Sequence, residues 1–276
     1  MAMHAAVSNA GAGRGSPASA ILRMSVRAWF VVAVAGQLIF AAYILAFYGG
    51  AVVIGDLSIW NQVLPKGYVA GETAGNLVVG LHVLLAAILT LGGPLQLIPA
   101  IRTHAPRLHR WNGRLYLLTA VVVSSTGLVM VLTRGAVGDT VQHLSISFNA
   151  ILILLCAVLA FRHALAGDVR RHRRWALRLF LVVNGVWFFR VGLMFWIAVN
   201  GGPAGFDPKT FEGPALIVLG IGQYALPLLV LQAYLHVQER PGAAGRLAVS
   251  ALLVVLTLAM GAGIAVATIG MWWPRM

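Results

Sequence analysis

Long apolar runs alternate with short polar segments along the whole chain. About seven of these runs are long enough to cross the ~30 Å hydrocarbon core of a bilayer, which takes roughly 20 residues of helix. The predicted spans are residues 28–48, 76–99, 115–132, 143–161, 177–199, 214–235 and 247–272. Backbone groups in lipid must be hydrogen-bonded within their own segment, so we expect each run to be helical. The pattern predicts an all-α polytopic membrane bundle, with spans two to five as a four-helix core.

The division into domains follows from the same pattern. Residues 1–25 are rich in Gly, Ala and Ser, and we expect them to form a disordered cytoplasmic tail. Residues 26–276 are expected to form a single transmembrane domain.

Composition agrees with a membrane protein. The chain has 276 residues, of which 60% are hydrophobic and only 10% are charged, whereas a soluble domain has about 25% charged residues. The net charge of +13 would raise the question of nucleic acid in a soluble protein. Here the basic residues lie in short loops beside spans, where topology and anionic lipid account for them. We therefore expect the lipid bilayer as the main partner and no nucleic acid.

The distribution of Lys and Arg predicts the orientation. With the N-terminus placed in the cytoplasm, the inner segments carry fifteen of these residues. The outer segments carry four, which are Lys66, Arg134, Lys209 and Arg275. Cytoplasmic loops carry the excess of positive charge. The sequence thus predicts a multi-pass protein of the cell membrane, with its N-terminus cytoplasmic and its C-terminus outside.

Four of the eight histidines follow the order of the spans. His82 lies just inside the start of span two, and His109, His143 and His172 lie at the starts of spans three, four and five. Successive spans run in opposite directions, so His82 and His143 are expected near the outer face and His109 and His172 near the inner face. Helices two apart in an up-down bundle can face each other across the core. Each pair could then bind one haem iron from its two sides.

Two other interpretations of these histidines stay open. His109 and His172 lie in arginine-rich segments, where a histidine can be solvated or contact lipid phosphate, and His143 can be an ordinary interfacial residue. His82 is harder to explain in this way, because polar groups inside a span are costly and usually functional. A catalytic zinc site needs about three clustered ligands, whereas this pattern offers two near each face.

Arg190 is a charged residue inside span five, toward its outer half. No Asp or Glu lies within any predicted span, so a carboxylate partner inside the hydrocarbon is not available. A haem propionate, a quinone oxygen or an anionic substrate would satisfy this arginine. The alternative is that its side chain reaches the outer interface, helped by its aromatic neighbours.

Several of these residues also belong to motifs that resemble a known family. The matching features are His82, Gly93-Pro94-Leu95-Gln96, Arg102, Leu108-His109-Arg110-Trp111-Asn112-Gly113-Arg114-Leu115-Tyr116, His172-Arg173-Arg174-Trp175, Arg178 and Arg190. Over about residues 76–195, the chain resembles the bacterial predicted membrane proteins that carry the domain of unknown function 2306. The resemblance implies a membrane protein and no particular activity.

The layout of the histidines is similar, more loosely, to that of cytochrome b561-type proteins. That resemblance implies electron transfer across the membrane between two b-type haems, and a redox partner or quinone. Our hypothesis has haem b as the cofactor, with His82 and His143 as outer ligands and His109 and His172 as inner ligands. Arginine binds carboxylates bidentately, so the candidates for propionate contacts are Arg114, Arg178 and Arg190. The alternative is a non-enzymatic membrane protein that binds anionic lipid, a partner or a small apolar ligand.

Overall fold

The expected all-α architecture is confirmed by the computed structural model, which describes residues 15–64, 66–135, 137–240 and 242–276. The α-helices in this part of the chain are α1 (Pro17–Ile44), α2 (Gly50–Ile54), α3 (Thr73–Leu97), α4 (Pro99–His104), α5 (Pro106–Arg134), α6 (Thr140–Leu165), α7 (Val169–Val183), α8 (Gly185–Asn200), α9 (Pro214–Glu239) and α10 (Ala243–Ala267). A π-helical turn (Leu45–Gly49) joins α1 to α2, and another (Thr268–Trp272) follows α10.

The number of membrane spans agrees with the prediction. Within the described residues, six helical segments are long and apolar enough to cross a membrane, and α7 with α8 makes a seventh if the bent pair is one span. The first helix begins earlier than expected, at Pro17 rather than after residue 25. The Ser16 side chain accepts a hydrogen bond from the Ser19 N–H and Pro17 occupies the first helical position, which are strong signals for a helix start. The rest of the predicted tail, residues 1–14, lies outside the described residues.

The predicted four-helix core consists of α3, α5, α6 and the α7–α8 pair. Consecutive members pack against each other, and they share a buried cluster that includes Leu89, Tyr116, Ala120, Cys156 and Val182. Helix α9 contacts α6, α7 and α8, while α10 packs against α1 and α8. The loops with most of the arginines lie at one end of this bundle, which we call the basic end.

The fifth predicted span bends by 51° between α7 and α8. A break in a helix leaves main-chain carbonyls without their usual donors. Here the Asn184 side chain donates to the Phe180 carbonyl at 2.7 Å, and Asn149 of α6 donates to the Val182 carbonyl at 3.1 Å. A Cβ at Gly185 would lie 2.6 Å from the Asn149 amide nitrogen. The break therefore depends on an amide from another helix and on a glycine that lets it approach.

Candidate functional site

The inner histidine pair lies at the basic end of the bundle. His109 is in the first turn of α5 and His172 in the first turn of α7. The Nδ1 atom of His172 lies 2.9 Å from the Ala160 carbonyl oxygen. A carbonyl can only accept, so Nδ1 carries the proton, and Nε2 is the nitrogen that offers a lone pair in the neutral ring. The Nδ1 atom of His109 is buried and has no hydrogen-bond partner in the described part of the chain.

Side-chain amides hold α3 and α5 together beside His109. Gln96 donates to the His109 carbonyl at 3.2 Å, and Asn112 donates to the Gly92 carbonyl at 2.9 Å. A Cβ at Gly113 would lie 3.2 Å from the Gln96 side-chain oxygen, so a larger residue there would press on this contact. Three residues of the family-like motifs therefore fix the position of the His109 backbone.

The outer pair has a different geometry. His82 Nδ1 lies 3.1 Å from the Thr126 hydroxyl, which itself lies 2.8 Å from the Val122 carbonyl. The hydroxyl donates to that carbonyl, so it accepts from His82 Nδ1–H, and His82 also keeps its Nε2 lone pair. The His82 ring approaches Gly127 and the His143 ring approaches Gly135. These positions are about 12 Å apart along a helix, so shared ligation by the outer pair stays a prediction.

Arg190 of α8 lies among three aromatic side chains, which are Phe40 and Tyr43 of α1 and Trp272 of the π-helical turn after α10. We call these four residues the Arg190 cluster. The guanidinium carbon is 5.6 Å from the centre of the Phe40 ring, and one guanidinium nitrogen lies 3.4 Å from the Val186 carbonyl. Phe40 and Tyr43 both pack against Trp272. Val79 and Val83, which flank His82 in α3, belong to the same hydrophobic cluster as Phe40, Tyr43 and Trp272.

Buried polar atoms without partners are present in this cluster and in the helices that form it. The Tyr43 hydroxyl and the indole nitrogens of Trp187 and Trp272 are buried and have no hydrogen-bond partner among the described residues, and the same holds for the Gln37 amide. Donors in such excess suit a group that carries acceptor oxygens. Sequence analysis found Arg190 and His82 but missed Tyr43 and Trp272, because they come from α1 and from the segment after α10, far away in the chain.

The other two candidate arginines lie apart from the histidine pairs in the contacts that the structure describes. Arg114 is exposed and sits 5.0 Å from the ring of Trp111, which is 68% exposed. Arg178 lies over Trp175 at 4.9 Å and donates to the Gln232 side chain at 3.1 Å. Their contact with a propionate therefore stays a prediction.

A cavity of about 430 Å³ borders the four-helix core and is lined in part by α1. It occupies the space between the bent α7–α8 pair, α9 and α10, and its walls are almost entirely apolar. Representative lining residues are Phe180, Phe188, Gly222, Leu226, Pro227 and Met260. Gln223 and Tyr234 are the polar residues in its lining. Its volume lies within the roughly 300–1,000 Å³ typical of small-molecule pockets.

The helices and their apolar surfaces define a polytopic α-helical integral membrane protein. The family model described as Predicted membrane protein (DUF2306) matches residues 79–221. The match covers more than half of the chain, and the protein belongs to this family. No curated protein and no solved structure matches the chain. The matched region contains the four histidines and the three candidate arginines, whereas Phe40, Tyr43 and Trp272 lie outside it.

Proposed function

We propose that this protein is a b-type cytochrome that moves electrons across the cell membrane. His109 and His172 hold one haem at the basic end, which faces the cytoplasm, and His82 and His143 hold a second haem toward the outer face. The proposal rests mainly on the positions and contacts of the inner pair, His109 and His172. These two histidines, far apart in the chain, lie in the first turns of helices that begin at the basic end. The His172 Nδ1 is engaged by a carbonyl, and the His109 Nδ1 is buried without a hydrogen-bond partner among the described residues.

The roles of the protein's own groups follow from these contacts. The Ala160 carbonyl orients the His172 ring and makes Nε2 the ligating atom, as partners of metal-bound histidines commonly do. Thr126 does the same for His82. Gln96 fixes the backbone of His109, and Arg190, beside the Phe40 ring, supplies a positive charge for a propionate. When bound, haem supplies one-electron redox chemistry, which no side chain of the protein provides.

Difference spectroscopy tests the proposal. The protein is purified in detergent from haem-replete cells, and its reduced-minus-oxidised spectrum is recorded. The double variant His109→Ala/His172→Ala should lose about half of the b-type absorption, because one of two haems is lost. The double variant His104→Ala/His236→Ala is a matched control, since both residues are exposed in the described structure, and it should keep the full band.

The outcomes separate haem binding from the ligand assignment. A wild-type protein without a b-type band would exclude the cytochrome function. A band that keeps its full wild-type intensity both in His109→Ala/His172→Ala and in His82→Ala/His143→Ala would show that haem binds through other residues. If absorption is lost in His109→Ala/His172→Ala but not in His82→Ala/His143→Ala, only the outer haem site would be refuted.

A second candidate function is favoured by the apolar cavity of about 430 Å³. In this case the protein binds a small apolar molecule from the bilayer without chemical reaction, and a quinone is one such molecule. Gly222 lines the cavity, and a Cβ built there meets no atom within 4 Å. Gly222→Leu should therefore fill the cavity without a clash in its surroundings.

Ligand binding can be followed by the quenching of tryptophan fluorescence with a short-chain naphthoquinone. Gly222→Leu should weaken binding by about tenfold or more, which corresponds to ~1.4 kcal/mol. Gly50→Leu serves as the control, because a Cβ at Gly50 also meets no atom within 4 Å and Gly50 is outside the cavity lining. Equal affinities for the two variants would exclude this cavity as the binding site.

A further inference from the structure

A second cavity, of about 330 Å³ and open to the surface, is present at the basic end, and the Arg171 side chain at its edge is 69% exposed. It is lined by His163 of α6 and by four residues of α7, which are Arg171, Arg174, Trp175 and Arg178. The four α7 residues follow the spacing i, i+3, i+4 and i+7, so they share one face of the helix. We call this site the arginine cavity. Three guanidinium groups and an imidazole thus surround a single open space.

Neighbouring groups hold these arginines in position. Arg178 lies over the Trp175 ring at 4.9 Å and donates to the Arg174 carbonyl at 3.2 Å. Arg174 pairs with Glu239, and Arg171 lies 3.5 Å from Asp168. Both acids are partly or largely exposed, at 59% for Glu239 and 35% for Asp168. Exposed ion pairs are worth about 0–1 kcal/mol, so a stronger anion can replace them.

The charge of the site favours an anion with several oxygens. Three arginines face two carboxylates, which leaves one positive charge in excess before His163 is counted. Planar guanidinium groups match the oxygens of phosphate bidentately. The chemistry of the lining therefore selects a phosphate group over an apolar or cationic ligand.

The position of the cavity indicates where the phosphate comes from. Arg171 and Arg174 lie in the first two turns of α7, at the end of a span, and Trp175 is the kind of residue that marks the interface level of a membrane helix. Leu177 and Phe180, less than two turns further along α7, already line the apolar cavity. A basic pocket between helices at this level suits a lipid headgroup. We propose that the arginine cavity binds the phosphate headgroup of an anionic phospholipid.

Native mass spectrometry of the delipidated full-length protein tests this proposal independently of haem binding. Phosphatidylglycerol and phosphatidylcholine are titrated separately, and bound lipids are counted. Arg171→Gln/Arg174→Gln should weaken phosphatidylglycerol binding by about tenfold. Arg107→Gln/Arg110→Gln removes the same charge from exposed positions outside the cavity, and it should change the affinity less than about threefold.

A second variant covers the case in which the double variant fails to fold. His163→Glu places an acid in the arginine cavity and leaves both ion pairs intact, so it should also weaken phosphatidylglycerol binding. An equal loss in Arg107→Gln/Arg110→Gln would overturn the proposal, because only the total charge would then matter. Equal binding of phosphatidylcholine would overturn it too, and displacement of the lipid by inorganic phosphate would identify a site for a soluble anion instead.

Discussion

The contact between α8 and α10 requires a residue without a side chain at position 263. A Cβ built at Gly263 would lie 2.9 Å from Val191 Cγ1 and 3.1 Å from the Val191 carbonyl carbon. Carbon atoms in contact are ordinarily about 3.5–4.0 Å apart, so Gly263→Ala must separate the helices by roughly 0.5–1 Å. A rotamer change can move Cγ1 but cannot move the carbonyl carbon, since that atom belongs to the backbone of α8.

The size of the effect follows from two opposing terms. Overpacking of this kind costs about 1–3 kcal/mol, while replacing Gly by Ala in a helix gains up to about 1 kcal/mol. Gly261→Ala is a matched control two residues earlier on α10, where the new Cβ would meet only Val32 Cγ1 at 3.9 Å. The propensity gain is the same for both variants. The difference between them should therefore report the clash alone, at about 1–3 kcal/mol.

Unfolding of the purified protein in mixed micelles, followed by circular dichroism, measures this difference. Gly263→Ala should unfold at a lower temperature than Gly261→Ala. Because Val191 and Met260 line the apolar cavity of about 430 Å³, naphthoquinone binding should change in Gly263→Ala as well. If Gly263→Ala were as stable as Gly261→Ala, the two helices would not approach as closely as the structure describes.

Three further predictions concern local contacts. Gly185→Ala would press on the Asn149 amide at 2.6 Å and weaken a buried hydrogen bond, so we expect a loss of about 1–3 kcal/mol in the same unfolding assay. Arg134→Gln should increase the proteolysis rate of residues 55–72, because the Arg134 side chain donates to the Lys66 and Gly67 carbonyls. The Asp168 carboxylate caps α7 by accepting a hydrogen bond from the Arg171 N–H, and this bond holds the pKa of Asp168 below its usual value. The cap therefore stabilises α7 at any pH above the ordinary pKa of an aspartate. Its stabilisation is lost as the pH falls through the lowered pKa, and Asp168→Ala should remove that pH dependence in thermal melts.

The membrane helices could be predicted from sequence, because a run of apolar residues must be buried in lipid wherever the rest of the chain lies. The breaks within these helices could not be predicted from sequence. Span five was predicted as one helix, but the structure breaks it at Asn184. The Asn149 amide that donates to a carbonyl at this break comes from α6. A local pattern contains no information about such a partner.

The candidate site, too, could be predicted from sequence only in part. The alternating direction of the spans was enough to place His109 and His172 at the same end of the bundle, and the structure has both in the first turns of helices that begin there. The outer pair follows from the same rule, yet His82 lies beside Gly127 of α5, whereas His143 lies beside Gly135, which follows the end of that helix eight residues later. The helical register decides this depth, and the register depends on side-chain packing between helices rather than on the sequence of either one.

The sequence by itself determined that this protein is a helical membrane protein of about seven spans, which side chains lie on which span, and that no acid balances Arg190 within the hydrocarbon. Only the tertiary structure decided which groups surround Arg190 and where the two cavities lie. The physical reason is that burial in lipid acts on each segment separately. Contacts such as Trp272 with Tyr43, or Gly263 with Val191, arise only when distant helices pack at a particular depth and rotation.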